Sequence, residues 1–171
     1  MVVGADSYRD PDVIRRVLTD TTVWAIVGLG GDPERPAYQI AAFLQAHGKR
    51  IGVLGAAFKP NSDDIRDSPA LDVAATVQRD GGAVTVFDPQ AMANAKVRYP
   101  QLSYAGSAVD ACTGADVVLH LTEWQEFRDL EPATLSAVVT GRHIVDGRNA
   151  LDPARWRDAG WTYRALGRPS S

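Results

Sequence analysis

Hydrophobic residues fall into short runs along this chain, and the segments between the runs carry apolar residues three and four positions apart. Short apolar runs bounded by glycine, proline and aspartate are typical of buried strands, and the wider spacing is typical of amphipathic helices. The clearest helix has Ser68 as its N-cap, Pro69 at its first position and Gly81 after its end. The pattern predicts strands at residues 23–28, 50–54, 83–87, 102–104, 116–121, 143–145 and 162–165, and helices at residues 36–47, 69–79, 92–98, 108–112, 124–139 (broken near Pro132) and 153–159.

Strands alternate with helices along the chain, and most of the strands are apolar throughout. This combination is typical of a parallel sheet that is covered by helices on both faces. We therefore predict an α/β fold with a doubly wound, mainly parallel sheet in a Rossmann-like three-layer arrangement, and with an extra strand-helix unit at the N-terminus. Ligands bind such sheets beyond the carboxyl ends of the strands, so the loops of interest are residues 28–35, 55–66, 88–89, 122–124 and 146–149.

Length and composition narrow the class of protein. With 171 residues, 45% of them hydrophobic and 23% charged, the chain has the size of one domain, or of one domain with an additional arm. A net charge of -3 argues against a broad basic surface and so against a nucleic-acid partner. The apolar runs are far shorter than the roughly 20 residues of a membrane span, and the polar, acidic N-terminus is unlike a signal peptide. These features predict a soluble, cytoplasmic protein without a membrane partner.

Cysteine and histidine offer little chemistry. A single cysteine, Cys112, excludes an internal disulfide, and the scattered His47, His120 and His143 lack the spacing of metal ligands, so we predict no metal site. Cys112 lies in a predicted helix with no histidine nearby in sequence, and most such cysteines are buried apolar residues. His120 lies in an apolar strand and is interpreted as a core histidine whose hydrogen bonds are satisfied. The sequence therefore predicts no catalytic residue.

The loop at residues 55–69 is the richest in candidate binding residues. It joins a buried strand to the N-terminus of a helix, where free amides and the helix dipole favour an anion. Lys59 and Arg66 add two cations that suit a phosphate group. From the residues alone, a ligand role for either cation is as well supported as a solvated loop.

Three further loops are open to more than one interpretation. Arg148 follows another strand end, where residue chemistry alone favours a glycine turn with a solvated arginine. Asp88 follows the third predicted strand, where an aspartate either binds ribose hydroxyls or shapes a turn. Gly28 and Gly30 follow the first strand, but they lack both the GxGxxG spacing and the Walker lysine, so they form only a weak candidate for a phosphate loop.

Four long motifs, in the order of one known family, are spread over residues 48–153. They are GKRIGVLGAAFKPNSDDIRDSPALDVA, GGAVTVFDPQA, GADVVLHLTEWQEF and IVDGRNALDP. Over residues 48–169 the chain resembles the C-terminal, UDP-sugar-binding domain of the UDP-glucose/GDP-mannose dehydrogenase family. The resemblance implies that Lys59 and Arg148 bind the UDP-sugar from two sides of a cleft. It also implies that Arg66 reaches toward the nicotinamide cofactor, NAD, held by a neighbouring domain.

The family's reaction needs more than these motifs. The resemblance implies an N-terminal domain with a GxGxxG motif and a catalytic cysteine on a glycine-rich segment, and this sequence has neither; Cys112 does not match the nucleophile motif. Oxidation of an alcohol to an acid in two steps requires a hydride acceptor and a covalent thiol. We therefore expect the chain to be catalytically incomplete and to bind no cofactor alone, with NAD entering only where a partner domain is supplied.

The first 47 residues carry a different resemblance. The segments DPDVIRRVL, VWAIVGLG, DPERPAY and QIAAFLQAHG resemble the opening of small CoA-binding Rossmann-like proteins. This resemblance implies that the loop with Gly28 and Gly30 approaches the phosphates of CoA, with Arg35 as a contact. Beyond residue 47 the sequence departs from the CoA-binding pattern. We interpret the chain as a natural or engineered chimera in which residues 1–47 and 48–169 form one compact unit, with residues 170–171 as a tail.

The junction between residues 1–47 and 48–169 predicts that two strands compete for the same position in the sheet. In the dehydrogenase domain, strand 50–54 is expected between strands 83–87 and 116–121, whereas strand 23–28 takes the central place in the CoA-binding fold. Strand 23–28 must then lie at a sheet edge, displace a neighbour or pair with another chain, and the last arrangement predicts a homodimer through the N-terminal segment.

These observations lead to three functional hypotheses. The leading one is a noncatalytic domain that binds UDP or a UDP-sugar and derives from the dehydrogenase family. The alternatives are a protein that binds CoA or another nucleotide cofactor through residues 28–38, and a structural or engineered chimera that has kept no ligand.

Overall fold

The computed structural model describes residues 48–165 of the chain, and that part contains six strands and six helices. The strands are β1 (Arg50–Leu54), β2 (Ala83–Phe87), β3 (Ser103–Tyr104), β4 (Val117–His120), β5 (His143–Asp146) and β6 (Thr162–Ala165). The helices are α1 (Pro69–Arg79), α2 (Met92–Arg98), α3 (Ala108–Cys112), α4 (Gln125–Arg128), α5 (Pro132–Ser136) and α6 (Pro153–Asp158).

All six strands are parallel and follow the order β3-β2-β1-β4-β5-β6. Within residues 48–165 the chain runs from the central β1 outward to β3, and then crosses back to β4 before running outward to β6. This is a doubly wound, Rossmann-like sheet, as the sequence predicts. β1 lies between β2 and β4, so the predicted neighbours of strand 50–54 are confirmed. The order reverses between β1 and β4, and at such a point the loops leaving the two strands diverge and open a crevice.

The helix boundaries follow local sequence signals. The Ser68 side chain caps α1 by accepting a hydrogen bond from the amide of Leu71, and Pro69 occupies the first turn. The predicted break near Pro132 in the helical segment 124–139 is confirmed, because the segment forms two short helices. Pro132 begins the second one, at a position where its missing N–H group is not needed. Asp152 caps α6 by accepting hydrogen bonds from two backbone amides.

The core lies between the central strands and the helices that cover them. α3 passes so close to β1 that a Cβ atom on Gly52 would lie 2.9 Å from the carbonyl oxygen of Ala111. Cys112 is fully buried beside Gly52, and burial raises the pKa of its thiol to about 12. The thiol is therefore a small apolar core group rather than a nucleophile.

Several predictions concern residues outside 48–165. Strand 23–28, helix 36–47 and the homodimer through the N-terminal segment fall in this class, and they stay predictions. Between residues 48 and 165 no helix is long and apolar enough to cross a bilayer.

Candidate functional site at the carboxyl rim of the sheet

The candidate site lies where β1, β2, β4 and β5 end. We call the loops that follow these strands the carboxyl rim; they comprise residues 55–68, 88–91, 121–124 and 147–151. Because the strands are parallel, all four loops leave the sheet on the same side. Two buried carboxylates, Asp88 and Asp146, hold the backbone of this rim in place.

Asp88 anchors the part of the rim that follows β1 and β2. Its Oδ2 atom accepts hydrogen bonds from the amides of Ala56 and Ala57, at 2.8 and 2.9 Å, and from the indole nitrogen of Trp124 at 2.9 Å. Its Oδ1 atom accepts from the amides of Gln90 and Ala91, at 3.0 and 2.8 Å. Of the two interpretations of Asp88, the structure therefore favours the one in which it shapes a turn, because neither oxygen is left exposed for a ribose hydroxyl.

The loop after β1 is fixed at both ends. The hydroxyl of Thr122 donates to the carbonyl of Ala57 at 2.8 Å, and the hydroxyl of Ser68 donates to the carbonyl of Ala56 at 2.7 Å. Ser68 is also the N-cap of α1, so the start of this 11-residue helix is tied directly to the end of β1. The helix dipole therefore points its positive end at the rim.

The two predicted cations of this loop differ in their surroundings. Lys59 is exposed, and its ammonium forms no hydrogen bond or ion pair within residues 48–165. The guanidinium of Arg66 is 87% exposed and pairs with Asp64, with its Nη2 atom 2.7 Å from Oδ2. Hydrogen bonds from Arg66 lower the pKa of Asp64 to about 2. An exposed pair of this kind contributes little to stability, so Arg66 can leave Asp64 at small cost.

Asp146 anchors the opposite part of the rim, at the end of β5. Its Oδ1 atom lies 2.8 Å from Nδ1 of His120 and accepts from the amide of Arg148 at 3.0 Å. Its Oδ2 atom accepts from the amide of Leu151 at 2.8 Å and from the hydroxyl of Tyr163 at 2.9 Å. The carboxylate thus holds the loop after β5 at two positions from beneath.

The Asp146 carboxylate stays ionised in this buried position. Burial opposes ionisation, but the hydrogen bonds from His120 and from the amides of Leu151 and Arg148 outweigh it and lower the pKa of Asp146 to about 2. An ionised carboxylate only accepts hydrogen bonds. Nδ1 of His120 therefore carries the proton of the bond that joins them.

Arg148 points its guanidinium at a carboxylate of the neighbouring loop. Its Nε and Nη2 atoms donate to the two carboxylate oxygens of Glu123, at 2.5 and 3.0 Å. This bond lowers the pKa of Glu123 and raises that of Arg148. Both side chains are about one-third exposed, at 29% and 32%, so the pair is open to a ligand at the rim.

The structure brings the predicted residues to one rim without joining them. Lys59 and Arg66 share the loop after β1, whereas Arg148 follows β5, with the loop after β4 between them. No hydrogen bond within residues 48–165 links the three cations to one another. Gly28, Gly30 and Arg35 lie outside the described residues. Within those residues, no three His, Cys, Asp or Glu side chains are grouped as a metal site would require.

Sequence reasoning overlooked three features of the site. It did not foresee Glu123 as the partner of Arg148, although Glu123 lies in a loop that follows a strand. It interpreted His120 as a satisfied core histidine, but only Nδ1 is bonded, and Nε2 has no hydrogen-bond partner in the described part of the chain. It gave Trp124 no individual role, whereas the indole donates to Asp88.

Acid should remove the stability that ionised Asp146 contributes. Its folded pKa of about 2 lies below the ordinary value of 3.8, so the contribution is complete above about pH 5 and is lost as the pH falls toward 2. We expect the gap in unfolding free energy between the wild type and Asp146→Asn to narrow by about 1 kcal/mol between about pH 7 and about pH 3. Urea denaturation at both pH values measures this gap. The exposed Asp158→Asn is the control, and a gap for Asp146→Asn that is independent of pH would contradict the assignment.

An all-parallel doubly wound sheet, with cationic loops and a helix N-terminus at its carboxyl rim, defines a nucleotide-binding α/β domain. Residues 52–153 match the UDP binding domain of the UDP-glucose/GDP-mannose dehydrogenase family. The chain belongs to this family and contains its UDP-binding domain.

The chain is also similar to curated UDP-glucose 6-dehydrogenases. A UDP-glucose 6-dehydrogenase of Rhizobium meliloti is 39% identical over 129 residues, which cover 75% of this chain and 30% of that protein. A UDP-glucose 6-dehydrogenase of Haloferax volcanii is 40% identical over 126 residues, which cover 71% of this chain and 29% of that protein. The matched part of this chain thus spans less than a third of the length of these relatives.

Solved structures share the fold. A UDP-glucose dehydrogenase of the archaeon Pyrobaculum islandicum is 26% identical, with a TM-score of 0.56, over 77% of this chain and 30% of that one. A UDP-D-ManNAc dehydrogenase of Pyrococcus horikoshii, at 23% identity and a TM-score of 0.59 over 78% of this chain and 33% of that one, supports the fold alone.

Proposed function

We propose that the carboxyl rim binds the UDP part of a UDP-sugar, with Lys59 and Arg148 as its cationic contacts. The observation that carries this proposal is the position of Lys59. Its exposed ammonium lies in the loop that leads to the positive end of α1, and within residues 48–165 it forms no hydrogen bond or ion pair. A lysine in such surroundings is available to a phosphate group.

Arg148 supports the same proposal from the other side of the loop after β4. A guanidinium has five N–H groups, and Glu123 accepts hydrogen bonds from only two of its nitrogens. The remaining N–H groups are available to a diphosphate while Glu123 still holds the fork in place. Two cations on separate loops suit a ligand that carries two phosphates.

We propose that oxidation of the sugar requires groups outside residues 48–165. When bound by another domain, NAD supplies the hydride acceptor of the family's reaction. Arg66 fits a role toward that cofactor, because its guanidinium is exposed and, among the described residues, is held only by Asp64. By itself this chain binds the nucleotide sugar and does not oxidise it.

Substitution of the two cations tests the proposal. We expect Lys59→Ala and Arg148→Ala each to weaken UDP binding by about 1–3 kcal/mol, because each removes a charged hydrogen bond. Isothermal titration with UDP measures the change. Lys49→Ala and Arg142→Ala are matched controls, since these exposed residues precede β1 and β5 at the opposite side of the sheet. Equal losses in the controls would contradict a site at the rim.

A thermal-shift comparison of UDP, UDP-glucose, CoA and NAD separates the proposal from its alternatives. A ligand at about 100 times its dissociation constant stabilises by about 2.7 kcal/mol, which raises the melting temperature by several degrees in a chain of this size. Stabilisation by UDP and UDP-glucose supports the rim. Stabilisation by CoA that is lost in Arg35→Ala would instead favour the CoA-binding hypothesis for residues 1–47, and no shift with any compound would favour a chimera without a ligand.

A further inference from the structure

His120 is a fully buried polar side chain in an otherwise apolar strand. It follows Val118 and Leu119 in β4 and is completely inaccessible to solvent. Its Nε2 atom is also buried and has no hydrogen-bond partner among residues 48–165. An aliphatic residue at this position would bury no unpaired nitrogen, so packing alone does not explain a histidine here.

The imidazole is held in one orientation. Its ring meets the ring of Phe127 edge-on, with the centroids 6.2 Å apart. On its other side, Nδ1 donates to Oδ1 of Asp146 at 2.8 Å. The ring, at the end of β4, is therefore a hydrogen-bond donor held in a fixed position toward the carboxylate of Asp146.

The same carboxylate oxygen binds the rim. Oδ1 of Asp146 accepts from both Nδ1 of His120 and the amide of Arg148, and the carbonyl oxygen of His120 accepts from the amide of Gly147 at 2.9 Å. Oδ2 holds the far end of the loop through the amide of Leu151. His120 thus contacts the start of the loop directly, through its backbone, and indirectly, through its side chain.

We propose that His120 is a positioning residue for the nucleotide site: through Asp146, its ring sets the backbone of Arg148 and thereby the direction of the guanidinium. His120 itself is buried beneath the rim and touches no ligand. Glu123 fixes the outer end of the Arg148 side chain, and the His120–Asp146 pair fixes its base. This inference rests on the proposed role of Arg148 in binding UDP.

Substitutions at position 120 separate positioning from packing. His120→Leu removes the donor and keeps an apolar side chain of similar size, whereas His120→Asn keeps an N–H group near the place of Nδ1. We expect His120→Leu to weaken UDP binding about threefold to tenfold and His120→Asn to restore most of that affinity. His143→Leu, near the amino end of β5, is the control and leaves the affinity unchanged. Equal affinities of the Leu and Asn variants would overturn the proposal.

A double-mutant cycle shows whether the effect passes through Arg148. In an Arg148→Ala background, His120→Leu should no longer change the UDP affinity, because the guanidinium that it positions is gone. Fully additive losses would overturn the positioning role and leave the proposed function standing. No loss from Arg148→Ala alone would instead remove the proposed function on which the inference rests.

The amide proton of Arg148 gives a readout that needs no ligand. In the wild type it donates to the carboxylate of Asp146, so its NMR resonance reports the shared hydrogen bond. We expect it to move in His120→Leu and to return toward the wild-type position in His120→Asn. Should His120→Leu fail to fold, His120→Val takes its place. An unmoved resonance in a folded variant without the donor would overturn the proposal.

Discussion

Replacing Asp88 with alanine should cost about 3–5 kcal/mol of unfolding free energy, a large part of the roughly 5–15 kcal/mol that stabilises a typical domain. Five donors lose their acceptor at once: four backbone amides and the indole N–H of Trp124. Ala56, Ala57 and Trp124 are buried, so water cannot replace the lost bonds without opening the rim. Equilibrium unfolding in urea, followed by circular dichroism, measures the loss.

Asp152 provides a matched comparison for Asp88. It also accepts hydrogen bonds from backbone amides, but it is the exposed N-cap of α6. Asp152→Ala should therefore cost about 1 kcal/mol, as is usual for a lost cap. If Asp88→Ala costs no more than Asp152→Ala, the carboxylate does not hold the rim as described.

Gly55→Ala should cost about 3 kcal/mol or more and should also weaken UDP binding. Gly55 is the first residue after β1, and its φ of +113° belongs to a region that only glycine adopts readily. A Cβ atom there would lie 2.5 Å from the backbone nitrogen of Thr122, where β4 has just ended. The added methyl group would overpack the point where the crevice opens, and the loops after β1 and β4 would have to move apart to make room for it. Thermal denaturation and UDP titration of the variant measure both effects.

Gly160→Ala isolates the contribution of the steric clash. Gly160 also has a positive φ, +81°, but a Cβ atom there would meet only the flexible end of Arg142, at 3.5 Å. This substitution should cost about 1–2 kcal/mol, which is the ordinary cost of a left-handed conformation. If Gly55→Ala and Gly160→Ala lose similar amounts of unfolding free energy, the loops after β1 and β4 can move apart easily at Gly55.

Much of the fold could be predicted because its signals are local. The Ser68-Pro69 pair marks the start of α1, and Pro132 marks the second of two short helices. The neighbours of β1 could also be predicted, because strands that alternate with helices leave few topologies, and the family resemblance selected the one in which β1 lies between β2 and β4.

The polar contacts of the site could not be predicted, because their partners are distant in sequence. Asp88 meets Trp124 across 36 positions, and His120 meets Asp146 across 26. Nothing near Asp88 distinguishes an anchor from a ribose ligand, and nothing near His120 shows that one of its nitrogens is bonded and the other is not. These roles depend on strand order and register, which only the folded sheet supplies.

The candidate cations fall between these two cases. From residue chemistry alone, Lys59 was equally well interpreted as a ligand-binding residue and as a solvated one, and Arg148 was better interpreted as solvated. The family resemblance changed both expectations in favour of ligand binding. The structure adds what neither source contained, namely that Arg148 is oriented by Glu123 and that Arg66 is paired with Asp64.

The two anchoring carboxylates separate the shape of the rim from its proposed recognition surface. Asp88 and Asp146 hold the loop backbones from below. The more accessible side chains above them, the exposed Lys59 and Arg66 and the half-buried Glu123, take little part in that scaffold. Random mutagenesis confined to these outer positions should therefore yield mostly folded proteins with altered ligand preference. If the outer side chains form the proposed nucleotide site, its ligand contacts can diversify while the loop framework stays constant.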